Sequence, residues 1–268
     1  MAERSFRFRS SSLNYEVMGT GENVLLAFHG FGQDHHAFQS LATTLSETHT
    51  LYMFDLYFHG KSEWGYGEQP LEKLHWTETI SAFLTEFGIE KFSLVGFSLG
   101  GKFVLAILEA FPEKTESVVL LAPDGIKTSF WYSLATYPIL FRKIFKSLIR
   151  HGKRFMSITH VLSALGIMDK GLIRFVEHQM NTTEKRRRVY YVWVVFRRLK
   201  FNMKNIALIV NTNAIPLSII AGKYDKVIMP KNMHRLLKHL KTYRMEVLET
   251  GHNGLIAESA PYLIIDRK

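Results

Sequence analysis

The chain has 268 residues, a formal net charge of +10, 47% hydrophobic and 22% charged residues, and no cysteine. That balance excludes a largely disordered chain, and the missing cysteine excludes a disulfide framework, a thiolate metal site and a cysteine nucleophile. The length suits one large domain, or one domain that carries an insertion.

Met1 to Met18 contains arginines but no apolar run long enough for a signal peptide. Ser5–Arg9 and Leu13–Met18 read as a strand pair, and Asn23–Phe28 (NVLLAF) and Thr50–Leu56 (TLYMFDL) as buried strands. A helix-like stretch, Phe38–Ser46, lies between the latter two. Trp76–Phe87 has helical spacing, with Ile80, Phe83, Leu84 and Phe87 on one face. Phe92–Phe97 (FSLVGF) is a further buried strand, followed by a helix from Leu99 to Ala110 that Pro112 closes. Ser117–Ala122 (SVVLLA) is the next strand.

The pattern then changes. From about Gly125 to Asn205 the chain reads as helices only, rich in aromatic and basic residues. This segment holds 17 Lys/Arg against 3 Asp/Glu, and the remainder 17 against 21, so the insertion carries all of the excess positive charge. The uncharged run Asn205–Gly222 is broken by Asn211-Thr212-Asn213 and by Pro216, too often for the roughly 20 apolar residues of a membrane span. It reads as a loop leading into a buried strand, Pro216–Ala221 (PLSIIA). Met233–Leu240 is predicted helical, Met245–Leu248 a last strand and Leu255–Ile265 a closing helix. Repeated strand–helix alternation predicts an α/β fold with a mainly parallel sheet flanked by helices. The core is expected at residues 1–124 and 206–268, with a helical cap at 125–205. A cytoplasmic protein is expected, with a peripheral place at a membrane surface as the alternative.

Gly96-Phe97-Ser98-Leu99-Gly100 fits G-x-S-x-G between a predicted strand and a predicted helix. A serine on so tight a turn is held in a strained conformation at the positive end of the helix, where backbone N–H groups can face a developing oxyanion. Asp225 lies in Gly222-Lys223-Tyr224-Asp225, after the strand Pro216–Ala221, and Gly251-His252 follows the last strand. Taken singly, an Asp after a strand is a turn former and a lone His a packing residue. Together, Ser98, Asp225 and His252 stand in the order of a nucleophile, acid and base.

With these motifs the chain resembles the α/β-hydrolase superfamily over nearly its whole length. More narrowly it is similar to capped serine esterases and lipases: carrier-protein methyl ester esterases, monoacylglycerol lipases and meta-cleavage hydrolases. The resemblance implies an eight-stranded sheet, a triad of Ser98, Asp225 and His252, and an oxyanion hole. His29-Gly30-Phe31-Gly32 looks like that family's H-G-x-G loop, so Phe31 N–H is one implied oxyanion donor and Leu99 N–H the other. Asp55 to Ser62 resembles D-x-x-G-x-G-x-S, with Phe58 where the first Gly is usual, and implies a structural role for Asp55. Asp124, after the strand Ser117–Ala122, is the competing acid, because some members place the acid there. No metal or organic cofactor is implied. A serine at position 98 argues against dehalogenases and epoxide hydrolases, which carry Asp there.

These residues predict hydrolysis of a carboxylic ester or thioester of a medium-chain or aromatic acyl substrate. The alternatives are a carbon–carbon bond hydrolase with the same triad, or a catalytically silent binding protein of this fold. The insertion's aromatics (Phe130, Trp131, Tyr132, Tyr137, Phe141, Phe145, Phe155, Tyr190, Tyr191, Trp193 and Phe196) favour an apolar pocket over the serine. Arg142, Lys146 and Arg150 share one helical face, and Lys185–Arg188 with Arg197-Arg198 bracket Val189–Phe196. This is a solvated face or a dock for an anionic partner: a phospholipid surface, an acyl-CoA or an acyl-carrier protein. No nucleic-acid motif accompanies the charge.

Overall fold

In the computed structural model, residues 4–127, 133, 136–150 and 180–262 are described. Eight strands form one sheet: β1 (Arg4–Phe8), β2 (Ser11–Met18), β3 (Asn23–Phe28), β4 (His49–Phe54), β5 (Phe92–Phe97), β6 (Thr115–Leu121), β7 (Leu217–Gly222) and β8 (Arg244–Leu248). Their order is β1-β2-β4-β3-β5-β6-β7-β8. β1 and β2 are antiparallel to their neighbours, and every pairing from β4 to β8 is parallel.

β5 is buried at all six positions, which is why its sequence shows no alternation: a central parallel strand is covered on both faces. Around it run α1 (Gln39–Leu45), α2 (Lys73–Glu86), α3 (Gly100–Ala110), α6 (Met203–Thr212), α7 (His234–Leu237) and α8 (Leu255–Ser259). Trp76 on α2 is fully buried, edge-on to Phe28 of β3 and Phe103 of α3. The stacked pair Phe28–Phe54 extends that aromatic layer across β3 and β4.

The chain divides into two compact units: 1–66, 72–127 and 199–268 in the first, and 67–71 with 128–198 in the second. The second unit contains α4 (Ile139–Arg150) and α5 (Thr183–Val195). Phe145 packs on Tyr190 and Trp193, and Glu68 accepts bonds from Lys146 Nζ and Tyr190 Oη. Burial and the Glu68 charge both raise the Tyr190 pKa, so its hydroxyl stays protonated. Phe130, Trp131, Tyr132 and Phe155 lie outside the described residues.

Two expectations are corrected. The run after Asn205 is not a loop: α6 covers Met203–Thr212, capped by the Asn202 side chain on Lys204 N–H, and buries Ile206, Ala207 and Val210. The Asn and Thr residues read as breakers fall in its last turn, where they cost a helix little. The helix predicted over Met233–Leu240 shortens to a 3-10 turn, Pro230–Met233, and the single turn of α7.

Candidate active site

The candidate residues gather at the carboxyl ends of β3, β5, β7 and β8, the edge of a parallel sheet where ligands usually bind. Ser98 follows β5 directly and has φ +49°, a left-handed conformation that costs a non-glycine residue about 1 kcal/mol. Two bonds pin it: Ser98 N–H donates to Leu121 O at 2.9 Å, and Ser98 O accepts Asp124 N–H at 2.8 Å. The flanking glycines are required by close approach. A Cβ on Gly100 would lie 1.9 Å from Phe28 O, and one on Gly96 2.7 Å from Val104 Cγ2. The G-x-S-x-G spacing therefore reflects two crowded backbones around one strained residue.

The loop carrying Asp225 leaves β7. Asp225 is buried; its Oδ1 accepts the N–H groups of Val227 at 2.7 Å and Ile228 at 2.8 Å, which orients the carboxylate. Oδ2 lies 2.6 Å from His252 Nδ1, and His252 Nε2 lies 3.0 Å from Ser98 Oγ. A carboxylate can only accept, so the network assigns the proton to Nδ1 and leaves Nε2 to accept the Ser98 hydroxyl. The Phe97 ring lies 4.9 Å from the imidazole. The loops bearing Asp225 and His252 are stitched together: Lys223 N–H donates to Leu248 O at 2.8 Å, and Tyr224 N–H to Thr250 O at 3.0 Å. Ser98, Asp225 and His252, scattered along the sequence, thus form one hydrogen-bonded chain.

Asp124 does not join it. Its Oδ2 pairs with Lys102 Nζ at 2.8 Å and its Oδ1 accepts Gly125 N–H at 2.7 Å. Sequence reasoning passed over Lys102. The signal was there: a lysine in the otherwise apolar GGKFVLAIL of a buried helix demands a partner.

Phe31 sits in the loop after β3, and the register Phe28↔Gly96 sets that loop beside the Ser98 turn. A Cβ on Gly30 would meet the Phe97 ring at 2.8 Å, which measures how closely the loop lies on the end of β5. Among the described residues, neither Phe31 N–H nor Leu99 N–H donates a hydrogen bond. The loop is braced by His29, wholly buried, whose Nδ1 donates to Gly30 O at 2.7 Å while Nε2 accepts Leu56 N–H at 3.0 Å. Burial pushes the His29 pKa down to about 4, so the ring stays neutral and can do both.

Asp55 holds the next layer. It accepts from His35 N–H and His35 Nδ1 on one oxygen, and from Asn14 Nδ2 and Lys61 N–H on the other. Burial alone would raise its pKa, but the bonds from Lys61, His35 and Asn14 outweigh that and hold it below its ordinary value. A Cβ on Gly60 would collide with this carboxylate at 1.8 Å. Phe58 keeps the turn by taking φ +69° itself, so the departure from glycine is met with strain rather than a different loop.

The expected basic surface is partly used up inside the second unit. Arg186 is buried and donates to the carbonyls of Ile149, Met180 and Asn181 and to Thr183 Oγ1. Arg197 is buried too, and Lys146 is paired with Glu68. Among the described residues, no helix is long and apolar enough to cross a membrane.

Comparison with known proteins agrees with this architecture. The family profile for the α/β hydrolase fold matches residues 23–144. The acetyltransferase component of an acetoin cleaving system from Cupriavidus necator is 26% identical over 58% of this chain, which spans only 46% of that protein. Pimeloyl-[acyl-carrier protein] methyl ester esterase from Pectobacterium atrosepticum is 28% identical over 42% of this chain and 41% of its own length. Among solved structures, a thermophilic esterase from Thermogutta terrifontis superposes with a TM-score of 0.69 at 15% identity, covering 98% of this chain and 95% of its own. By sheet order, matched segment and structural likeness, the chain is an α/β-hydrolase-fold protein that resembles esterases.

Proposed function

We propose that the protein hydrolyses a carboxylic ester or thioester of a medium-chain or aromatic acyl group through an acyl-enzyme on Ser98. The observation that carries this reading is the chain from Ser98 Oγ through His252 to the buried Asp225 carboxylate. His252 Nε2 takes the hydroxyl proton as Ser98 Oγ attacks the acyl carbon, and Asp225 stabilises the imidazolium. The N–H groups of Phe31 and Leu99 are the proposed donors to the oxyanion. Collapse of the tetrahedral intermediate breaks the acyl–oxygen or acyl–sulfur bond, and the imidazolium proton goes to the leaving alcohol or thiol. Water then loses a proton to His252 as it attacks the acyl-enzyme, and carboxylic acid and free Ser98 result. The aromatic helical insertion is the proposed cap and the proposed source of acyl preference.

Labelling by a fluorophosphonate, lost in Ser98→Ala, together with turnover of p-nitrophenyl esters, tests this reading. Labelling without ester turnover, but with turnover of a ring-cleavage dienoate, would replace it by the carbon–carbon bond hydrolase. Absence of labelling would leave a binding protein.

A specific observation favours a lipid surface as the anionic partner. Ile139, Leu140, Phe141 and Ile144 are exposed on α4, with Lys143 between the last two and Arg150 exposed at the end of the helix. Large exposed apolar side chains beside cations suit a headgroup–acyl boundary better than an acidic protein face. Sedimentation with phosphatidylglycerol vesicles, weakened in Phe141→Ser/Ile144→Ser and absent with phosphatidylcholine, is the expected result. Equal binding to both lipids would discard the anionic preference, and binding to neither would discard the lipid partner.

A further inference from the structure

Glu16 on β2 and the neighbours His35 and His36, which open a 3-10 turn over His35–Phe38, take no part in the chain from Ser98 through His252 to Asp225. Each imidazole has its Nδ1 against a carboxylate: His35 at 2.8 Å from Asp55 Oδ1 and His36 at 3.1 Å from Asp34 Oδ1. A carboxylate holds the proton on Nδ1, so both rings offer Nε2 as a lone pair. The His35 Nε2 atom is buried and has no hydrogen-bond partner. It faces Glu16 Oε2 at 3.6 Å, beyond hydrogen-bonding range, and leaving the imidazole nitrogen unmated in a protein interior is costly.

The spacing has another meaning. Two donors bound to one tetrahedral ion at about 2.0–2.2 Å lie about 3.3–3.6 Å apart. One ligand atom from each of Glu16, His35 and His36 falls within 4.8 Å of the others, and the exposure of His36 opens the cluster to solvent. We propose that Glu16, His35 and His36 form a binding site for a divalent transition-metal ion of the zinc class. Two imidazoles and one carboxylate, both imidazoles oriented by outer carboxylates, suit such an ion; the nitrogen donors disfavour calcium and magnesium. The bound ion would join β2 to the segment that continues from Gly30–Gln33. Its role is therefore bracing that loop rather than the chemistry at Ser98.

The full chain, stripped with chelator, is titrated with Zn²⁺ by calorimetry and with Co²⁺ by visible absorption, and its melting temperature is followed with and without Zn²⁺. One saturable equivalent is expected, with a rise in melting temperature. Exposed His36→Ala and the isosteric Glu16→Gln lose the site, and Asp34→Asn weakens it about 10–100-fold. His252→Ala keeps full binding, which separates this site from the one at Ser98. Absence of saturable binding to wild-type protein, or equal binding by His36→Ala and Glu16→Gln, overturns the proposal.

Discussion

Lys102 Nζ, buried on α3, lies 2.8 Å from Oδ2 of the partly exposed Asp124, and this pairing leaves Asp225 as the carboxylate on His252. The Asp124 main-chain N–H also holds Ser98 O, so the pair sits directly behind the strained turn. Two acids compete in the sequence for one imidazole; in the fold each has its own partner, Lys102 for Asp124 and His252 for Asp225.

That division predicts opposite phenotypes. Asp225→Asn should lower kcat by about 10⁴ with little change in melting, because it sets the wrong imidazole tautomer while keeping the shape. Asp124→Asn should instead destabilise the fold by about 1–3 kcal/mol, since it takes a charged acceptor away from the buried Lys102 ammonium. Ester kinetics beside urea denaturation of the two variants distinguish them. Equal loss of kcat without destabilisation in Asp124→Asn would contradict the assignment.

Gly100→Ala should destabilise by about 3 kcal/mol or more, because its Cβ would have to displace Phe28 O from 1.9 Å. Gly67→Ala meets no neighbour within 4 Å and serves as the comparison, bearing only its own cost at φ +58°. Denaturation midpoints of both variants provide the measurement.

Stability should fall as pH drops below about 6.5, and His29 contributes to that slope. Its pKa of about 4 in the fold lies below its ordinary value of 6.5, so the unfolded chain binds the proton first. The stabilisation is complete above pH 6.5, declines through the interval and is lost once pH passes below about 4. The loss amounts to about 3 kcal/mol over that window. His29→Gln should flatten the slope there, as read by urea unfolding at a series of pH values.

Asp55 acts lower on the scale. Its folded pKa is below its ordinary value of 3.8, so its contribution is present above that value and is lost as pH falls through the folded pKa. Asp55→Asn should lower the melting temperature at neutral pH, and the gap to wild type should narrow in strong acid.

Much of this was legible from residue order. NVLLAF and FSLVGF became β3 and β5 with the expected bounds, because continuous apolar runs in a parallel sheet have few other ways to be buried. The order Ser98, Asp225, His252 pointed to side chains that prove to be bonded to one another. Pairings beyond that order were not legible. Nothing in sequence spacing says that Asp124 faces Lys102, that Arg186 turns inward to main-chain carbonyls, or that Glu16 meets His35. Those depend on side-chain direction across strands and helices distant in sequence. The polar tail of α6 misled for a related reason: Asn and Thr mark a turn or a helix end equally well.

β6 and β7 are direct neighbours, Val118 opposite Leu217, although residues 128–198 intervene between them in the chain. The two strands that flank the segment pair directly, and a connection that leaves and returns to adjacent strands is thermodynamically cheap to lengthen, about 0.6 kcal/mol per doubling. The consequence is modular: this stretch can be exchanged between relatives or shortened in the laboratory as a cassette.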